Sequence, residues 1–207
     1  MEIAIRKVKA GQEEAFVAAR AALIRLLKAQ DGVEKDWEFQ SFFTMPEPDD
    51  TDVFVGMTRY DSLATVGRIS EQLMASPEAV AFFSTFDMKA FVMVTAADGQ
   101  PFKLEDVIQD DGQVLEVAVR TPKAGMEDQF QTLRDGFFGK VAEQPGYIMD
   151  REFVDVQSGA NVVLIAWESR EAFMQALGVL QTTPEMGAFF GGIDAQAYQA
   201  LVRTTNQ

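Results

Sequence analysis

Alternating and helically spaced hydrophobic positions follow one another in the same order twice along the chain. Residues 3–8 alternate between apolar and polar side chains, which is typical of a half-buried strand. A Lys-Ala-Gly turn follows, and residues 12–30 then carry an apolar stripe with helical spacing. The stripe consists of Phe16, Ala19, Leu23, Leu26 and Leu27. The pattern predicts a strand followed by a long amphipathic helix.

The rest of the first copy predicts two strands, at 36–44 and 52–60, then a second helix and a last strand at 90–95. The second copy predicts its four strands at 117–121, 148–156, 161–167 and 197–203. Ser62 and Ser169 precede the second helix of each copy, where a hydroxyl group can cap the helix N-terminus. Pro77 and Pro184 each follow a hydroxyl residue and predict a short additional helix.

The two copies match each other in sequence when residue 2 is placed against residue 116. EIAIRKVKAGQEEAF then faces EVAVRTPKAGMEDQF, and SPEAVAFFSTFDMKAF later faces TPEMGAFFGGIDAQAY. The register slips by seven residues between these stretches, in a polar loop where an insertion leaves the apolar frame intact. We therefore predict a tandem duplication, with a first repeat at 1–95, a linker at 96–113 and a second repeat at 114–207.

Each repeat is predicted to be a ferredoxin-like β-α-β-β-α-β unit, which places the chain in the α+β class. A four-stranded sheet with both helices on one face leaves its other face in need of cover. That face is apolar here, with Trp37 and Phe39 on one side of a middle strand. The two sheets are therefore predicted to meet face to face as a closed, barrel-like pair within one chain.

Composition limits the chemistry that the chain can perform. The formal net charge of -14 disfavours nucleic acid and membrane surfaces as partners. No apolar run is long enough to span a bilayer and the start lacks a secretory pattern, so a cytoplasmic location is expected. The sequence has no cysteine and no histidine, which excludes thiolate and imidazole chemistry and the metal sites that need these ligands. No metal site is predicted, because the acidic turn PEPDDTD lacks the spacing of a calcium loop.

The element order, the two copies and the pattern AWESREAF followed by TPEMGAFF resemble the dimeric α+β barrel superfamily, and within it the antibiotic-biosynthesis-monooxygenase type of domain. Members usually form the barrel by homodimerisation, so a tandem form is expected to hold it in one chain. Many members have a histidine where this sequence has Ile69 and Ala176. Haem-dependent relatives also rely on histidine, so the resemblance argues against haem chemistry here.

What the resemblance implies is a monooxygenase-like protein that needs no cofactor, whether metal, haem or flavin. Its substrate would be a small apolar molecule, aromatic or polyketide-like, in an apolar pocket. The alternative is a non-catalytic barrel with a ligand-binding or purely structural role. A homo-oligomer of the tandem unit is a further possible assembly.

The candidate pocket residues are polar and aromatic side chains on the predicted strands, whereas no catalytic residue is assigned. Tyrosine and tryptophan combine an apolar body with a donor group, and arginine can hold an enolate or a carboxylate. The candidates are Arg6, Trp37, Arg59, Tyr60, Arg120, Arg151 and Trp167.

Each candidate also has a structural interpretation. Arg6 and Arg120 hold matched positions, and each could form an ion pair with a carboxylate such as Glu2 or Glu116. Glu38 and Glu152 are repeated in the same way. The aromatic candidates could simply pack, because half-buried strands favour aromatic residues.

The polar and aromatic strand residues differ between the repeats, whereas the residues that build the fold recur. Tyr60 faces Trp167, and Arg59 faces Ala166. This divergence predicts at most one functional pocket. The Arg59-Tyr60 pair and the longer loop at 44–52 favour the first repeat as its place.

Overall fold

The structure is a computed structural model that describes residues 1–45 and 52–204. Residues 46–51 lie outside the described residues, and they include most of the acidic turn PEPDDTD and of the loop at 44–52 that favoured the first repeat.

Both halves contain the predicted succession of elements, so the predicted order is confirmed. The first half contains β1 (Glu2–Val8), α1 (Glu13–Lys28), β2 (Val33–Met45), β3 (Val53–Tyr60), α2 (Leu63–Leu73), α3 (Pro77–Ser84) and β4 (Phe86–Ala96). The second half contains β5 (Val114–Pro122), α4 (Glu127–Ala142), β6 (Tyr147–Asp155), β7 (Asn161–Trp167), α5 (Arg170–Leu180), α6 (Pro184–Gly191) and β8 (Ile193–Arg203). The bounds of the two repeats and of the linker stay a prediction.

The helices begin where their capping residues predict. The Ser62 hydroxyl accepts a hydrogen bond from the Thr65 amide, and the Ser169 hydroxyl accepts one from the Ala172 amide. Pro77 and Pro184 occupy the first turn of α3 and α6, where a missing amide hydrogen costs nothing.

Glycine is required where α4 leads into β6. Gly146 adopts a φ of 77°, and a Cβ atom there would come within 2.4 Å of the Ala172 Cβ. The left-handed backbone and the close approach of α5 both exclude a larger residue at this turn.

The eight strands form one closed antiparallel barrel in the order β1-β3-β2-β8-β5-β7-β6-β4. Within each half, the strand that opens the unit lies at the centre, between its two partners. The halves are joined by two pairings, β2 with β8 and β4 with β6. The predicted closed pair is therefore confirmed, and the edge strands of each repeat are paired by the other repeat.

The barrel interior is one hydrophobic core to which both halves contribute. Strand alternation turns Ile3, Ile5 and Phe39 inward to meet Val117 and Leu164 of the other half. The segment between the halves also enters this core, because a 3₁₀ turn at Leu104–Asp106 buries Leu104 to 1% exposure. That segment was expected to be a connector, and it additionally fills one part of the barrel.

The helices cover the outer faces of the barrel and form separate apolar layers. In the second half this layer is large and lies between the sheet and α4, α5 and α6. In the first half it is smaller and centres on Val8, Phe16, Phe82 and Phe86. Among residues 1–45 and 52–204, no helix is long and apolar enough to cross a membrane.

Candidate active site

A cavity lies in the second half, between the outer face of the sheet and its helices. Its volume is about 40 Å³, which accommodates about two or three water molecules. Most of the wall is aromatic or aliphatic, including Phe137, Phe138, Phe173 and Phe189. Four residues with polar groups interrupt it, and these are Glu116, Arg120, Trp167 and Tyr198.

Glu116 is the central polar residue of this cavity. Its neighbours Val117 and Leu115 belong to the barrel core, whereas Glu116 lies on the face of β5 that the helices cover. The residue is only 4% exposed. The Trp167 indole Nε1–H donates to one carboxyl oxygen, and the Tyr198 hydroxyl donates to the other.

The barrel register brings these three residues together from three strands. Glu116 on β5 stands opposite Ile165 on β7 and Ala200 on β8. Trp167 and Tyr198 each lie two positions from those partners, so both are on the same face as Glu116 and diagonal to it. Phe173 packs edge-on against Trp167, with 6.3 Å between ring centroids, and helps to fix the indole.

The electrostatics of Glu116 differ from those of an ordinary surface carboxylate. No lysine or arginine forms an ion pair with it in the described part of the chain. Burial raises the pKa of Glu116 to about 7, although the hydrogen bonds from Tyr198 and Trp167 act in the opposite direction. Burial and the nearby Glu116 raise the pKa of Tyr198 well above its usual range. Near neutral pH, Glu116 can therefore exchange a proton while Tyr198 stays protonated.

Arg120 forms the second polar region of the cavity and belongs to an ion network. Its Nη2 donates to Glu152, which also accepts from Arg134 Nε at 3.0 Å. Arg134 in turn pairs with Asp150. The rings of Phe130, Phe138 and Phe189 lie 5.4 to 5.7 Å from the Arg120 guanidinium carbon.

The first half repeats this network with Arg6, Glu38, Arg20 and Asp36. Arg6 Nη2 contacts both carboxyl oxygens of Glu38 at 2.8 Å. The sequence suggested Glu2 and Glu116 as carboxylate partners, and the structure instead pairs Arg6 with Glu38 and Arg120 with Glu152. Gly56 lies between Arg6 and β2, and its missing side chain allows Arg6 to reach across β3.

Comparison with known proteins identifies the fold. No protein-family model matches the sequence, and no curated protein matches it either. An anthrone oxidase-like protein matches with a TM-score of 0.61 and 10% identity, over 99% of this chain and 92% of that chain. A mutant chlorite dismutase from Candidatus Nitrospira defluvii matches with a TM-score of 0.57 and 9% identity, over 99% and 90% of the two chains. The chain therefore has the dimeric α+β barrel fold, with both halves in one chain.

A third solved structure matches a smaller part of the chain. SnoaB, a cofactor-independent oxygenase from Streptomyces nogalater, matches 43% of this chain and 90% of its own, with 19% identity and a TM-score of 0.39. At these identities the likenesses show the fold and leave the reaction open.

The structure places the seven sequence-predicted site residues in three environments. Arg120 and Trp167 line the cavity of the second repeat. Arg6 lines a groove of about 90 Å³ in the first repeat, and the Tyr60 hydroxyl donates to Glu2 in the same groove at 3.1 Å. The other three lie at the barrel interior or at the segment that joins the halves, and these are Trp37, Arg59 and Arg151.

Arg59 and Arg151 hold the connecting segment rather than the cavity. Arg59 donates to both carboxyl oxygens of Glu105, at 2.7 and 2.8 Å, and also lies 5.5 Å from the Trp37 ring. Arg151 donates to Asp98 at 2.7 Å. Through these contacts, Arg59, Arg151 and Trp37 stabilise the connecting segment at one end of the barrel.

The first-repeat groove is a less complete version of the cavity. Glu2 matches Glu116 and Tyr60 matches Trp167, but Phe91 stands where the second repeat has Tyr198. Phe91 cannot donate to Glu2, and its side chain is 45% exposed. Two larger grooves, of about 470 and 380 Å³, are open and include several charged residues.

Sequence reasoning missed the functional potential of Glu116 and of Tyr198. A carboxylate in the apolar strand VLEVAV was a signal, because alternation puts it on the helix-covered face. The difference between Phe91 and Tyr198 at matched positions was a second signal.

Proposed function

We propose that the second-repeat cavity binds a small apolar molecule and that Glu116 removes a proton from it, so that the molecule reacts with dioxygen without a cofactor. The observation that carries this proposal is the buried Glu116 carboxyl, whose pKa is about 7, at the wall of an apolar cavity. A general base is most effective when its pKa lies near the working pH.

The proposed reaction converts a CH₂ group flanked by aromatic rings into a ketone. The Glu116 carboxylate takes one proton, and the electron pair left on carbon forms a C–O bond with dioxygen. The resulting peroxide takes up a proton, loses the second proton from the same carbon and cleaves its O–O bond. One oxygen atom becomes the ketone oxygen and the other leaves as water, so the substrate supplies all four electrons.

Trp167 and Tyr198 would position the base. Each donates to one carboxyl oxygen, which favours the charged form and fixes the plane of the carboxylate. Because Phe173 packs against the indole, this arrangement is preorganised. A ring system exceeds the present cavity and would displace the partly exposed Leu177, Met186 and Phe190 of α5 and α6.

The name of the anthrone oxidase-like neighbour suggests the first substrate to test. Dithranol is an anthrone with a suitable CH₂ group, and its conversion can be followed by oxygen uptake and by anthraquinone absorbance. We expect Glu116→Gln to lower the protein-dependent rate by about 100-fold or more. Glu2→Gln is the matched control and should retain the rate. Spontaneous oxidation is subtracted at each pH with protein-free samples.

Two results would count against this function: no protein-dependent oxygen uptake with anthrones, or a Glu116→Gln variant as active as the parent.

The second candidate function is a non-catalytic barrel that binds a ligand or is purely structural. The small cavity and the engagement of both Glu116 oxygens favour it. Tight binding of anthrones without oxygen uptake would support that alternative.

A further inference from the structure

We propose that Arg120 anchors the ligand of this cavity through an uncharged oxygen acceptor, such as a ketone carbonyl. This inference rests on the proposed function and names the class of molecule that the site would take.

Arg120 has hydrogen-bond donors that no described residue uses. The residue is 1% exposed, and its Nε and Nη1 are buried without a partner within residues 1–45 and 52–204. A buried donor without an acceptor loses its hydrogen bonds to water and forms none in their place. Arg120 lines the cavity, so a ligand that shifts the rings packed on its guanidinium would accept hydrogen bonds from these groups.

The matched arginine of the first repeat also has a buried Nε without a partner, but it contacts its glutamate differently. A Cβ atom on Gly56 would come within 2.4 Å of Arg6 Nη2, so only glycine leaves room for that guanidinium. Val163 stands at the matched position in the second repeat and lines the cavity. Arg120 Nη2 accordingly contacts one oxygen of Glu152, whereas Arg6 Nη2 contacts both oxygens of Glu38.

The local charge favours an uncharged acceptor. Arg120 and Arg134 are balanced by Glu152 and Asp150. An anionic ligand would therefore add a net charge to a buried site and pay the cost of desolvating it. A carbonyl oxygen accepts the same hydrogen bonds without that cost.

The spacing of the two polar regions indicates an elongated ligand. Glu116 and Arg120 lie four residues apart on the same strand, which separates their Cα atoms by about 13 Å. Both residues line the cavity. A molecule with two or three fused rings would place its reacting carbon near Glu116 and its carbonyl near Arg120.

Calorimetric titration with 1-tetralone, its oxygen-free counterpart tetralin and the carboxylate 1-naphthoate tests this inference. We expect 1-tetralone to bind the parent protein about tenfold more tightly than tetralin, since it accepts hydrogen bonds from a charged donor. The carboxylate should bind more weakly than the ketone. Arg120→Lys keeps the charge opposite Glu152 but lacks Nε and Nη1, so it should abolish the preference for the ketone. Arg6→Lys is the matched control and should keep the preference.

Equal binding of 1-tetralone and tetralin to the parent protein would overturn the inference, and so would an Arg120→Lys variant that keeps the preference. Tighter binding of 1-naphthoate would overturn the choice of an uncharged acceptor. The comparison of 1-tetralone with tetralin uses only the parent protein, so it tests the inference even if Arg120→Lys fails to fold. Binding of none of the three probes would remove the ligand site itself and the proposed function with it.

Discussion

The Tyr198 hydroxyl donates a hydrogen bond to the Glu116 carboxyl group, although 82 residues separate the two in the sequence. The pairing of β5 with β8 creates this contact, and the pairing of β5 with β7 adds Trp167 on the other side. The result is a buried carboxyl group that is held by neutral donors. This arrangement makes the behaviour of the whole protein depend on pH.

Glu116 is expected to destabilise the folded protein as the pH rises through 7. Its pKa rises from 4.5 to about 7 on folding, so the folded state holds the proton more tightly than the unfolded state. This difference stabilises the folded state by about 3 kcal/mol below pH 4.5. The stabilisation is lost as the pH rises toward about 7.

Urea denaturation of the parent protein and of Glu116→Gln between pH 4 and 8.5 measures this effect. The difference in free energy of unfolding should move by about 3 kcal/mol in favour of the glutamine variant as the pH increases. A difference that does not vary with pH would show that Glu116 titrates normally.

Trp167 and Tyr60 hold matched positions, and each donates to the glutamate of its own repeat. We expect Trp167→Phe to raise the pKa of Glu116 by about one unit, because a donor to the charged form is lost. Tyr60→Phe should leave that pKa unchanged. A carbon-13 NMR titration of labelled glutamate carboxyl groups distinguishes the two variants. Ligand binding that is lost only with Tyr60→Phe would instead place the site in the first repeat.

The sequence was sufficient to predict the barrel but not the cavity. Self-similarity and the apolar sheet face opposite the helices, for example at Trp37 and Phe39, can be recognised without knowledge of the strand register. Glu116 acquires its two hydrogen-bond donors only because β7 and β8 flank β5 and bring Trp167 and Tyr198 beside it. Neighbours that arise from long-range pairing cannot be deduced from local periodicity.

Arg59 shows that a residue expected at a pocket can instead have a structural contact. Its place beside Tyr60 suggested a pocket, yet its main partner Glu105 lies in the connecting segment, whose path along the barrel has no local signature. Aromatic and arginine residues on a strand therefore do not by themselves distinguish a ligand pocket from a structural contact.

Arg59→Ala is expected to destabilise the protein by about 1 kcal/mol, because the ion pair is partly exposed. The Arg59 guanidinium lowers the pKa of Glu105 to about 2. The parent protein gains this stabilisation above pH 4.5 and loses it as the pH falls toward about 2. The Arg59→Ala variant should lack it at every pH.

Urea denaturation at pH 7 and pH 3 measures both effects, and Glu105→Gln should cause a similar loss. The double variant should be little worse than either single variant if the two residues act through each other. Additive losses would show that Arg59 acts mainly through Glu34 or Trp37. Binding of 1-tetralone should be unchanged in all three variants.

Residues 2–95 expressed alone are expected to dimerise or aggregate. In the full chain the inward face of this half, which includes Ile3, Ile5 and Phe39, is covered by the second half. Its edge strands β2 and β4 are paired by β8 and β6. An isolated half would expose both the apolar face and the unpaired edges, and each favours association.

The topology also indicates which dimer should form. In the second half, β8 and β6 occupy the positions that β4 and β2 occupy in the first. Two copies of residues 2–95 can therefore pair β2 of one with β4 of the other, twice, and close a barrel. Sedimentation velocity should show a dimer or larger species at micromolar concentration, whereas the full chain supplies its own partner half. Because the isolated half lacks Leu104 and Ile108, its barrel should unfold at a lower temperature than the full chain. A folded monomer of this half, stable in sedimentation, would contradict the packing of one sheet on the other as the source of its stability.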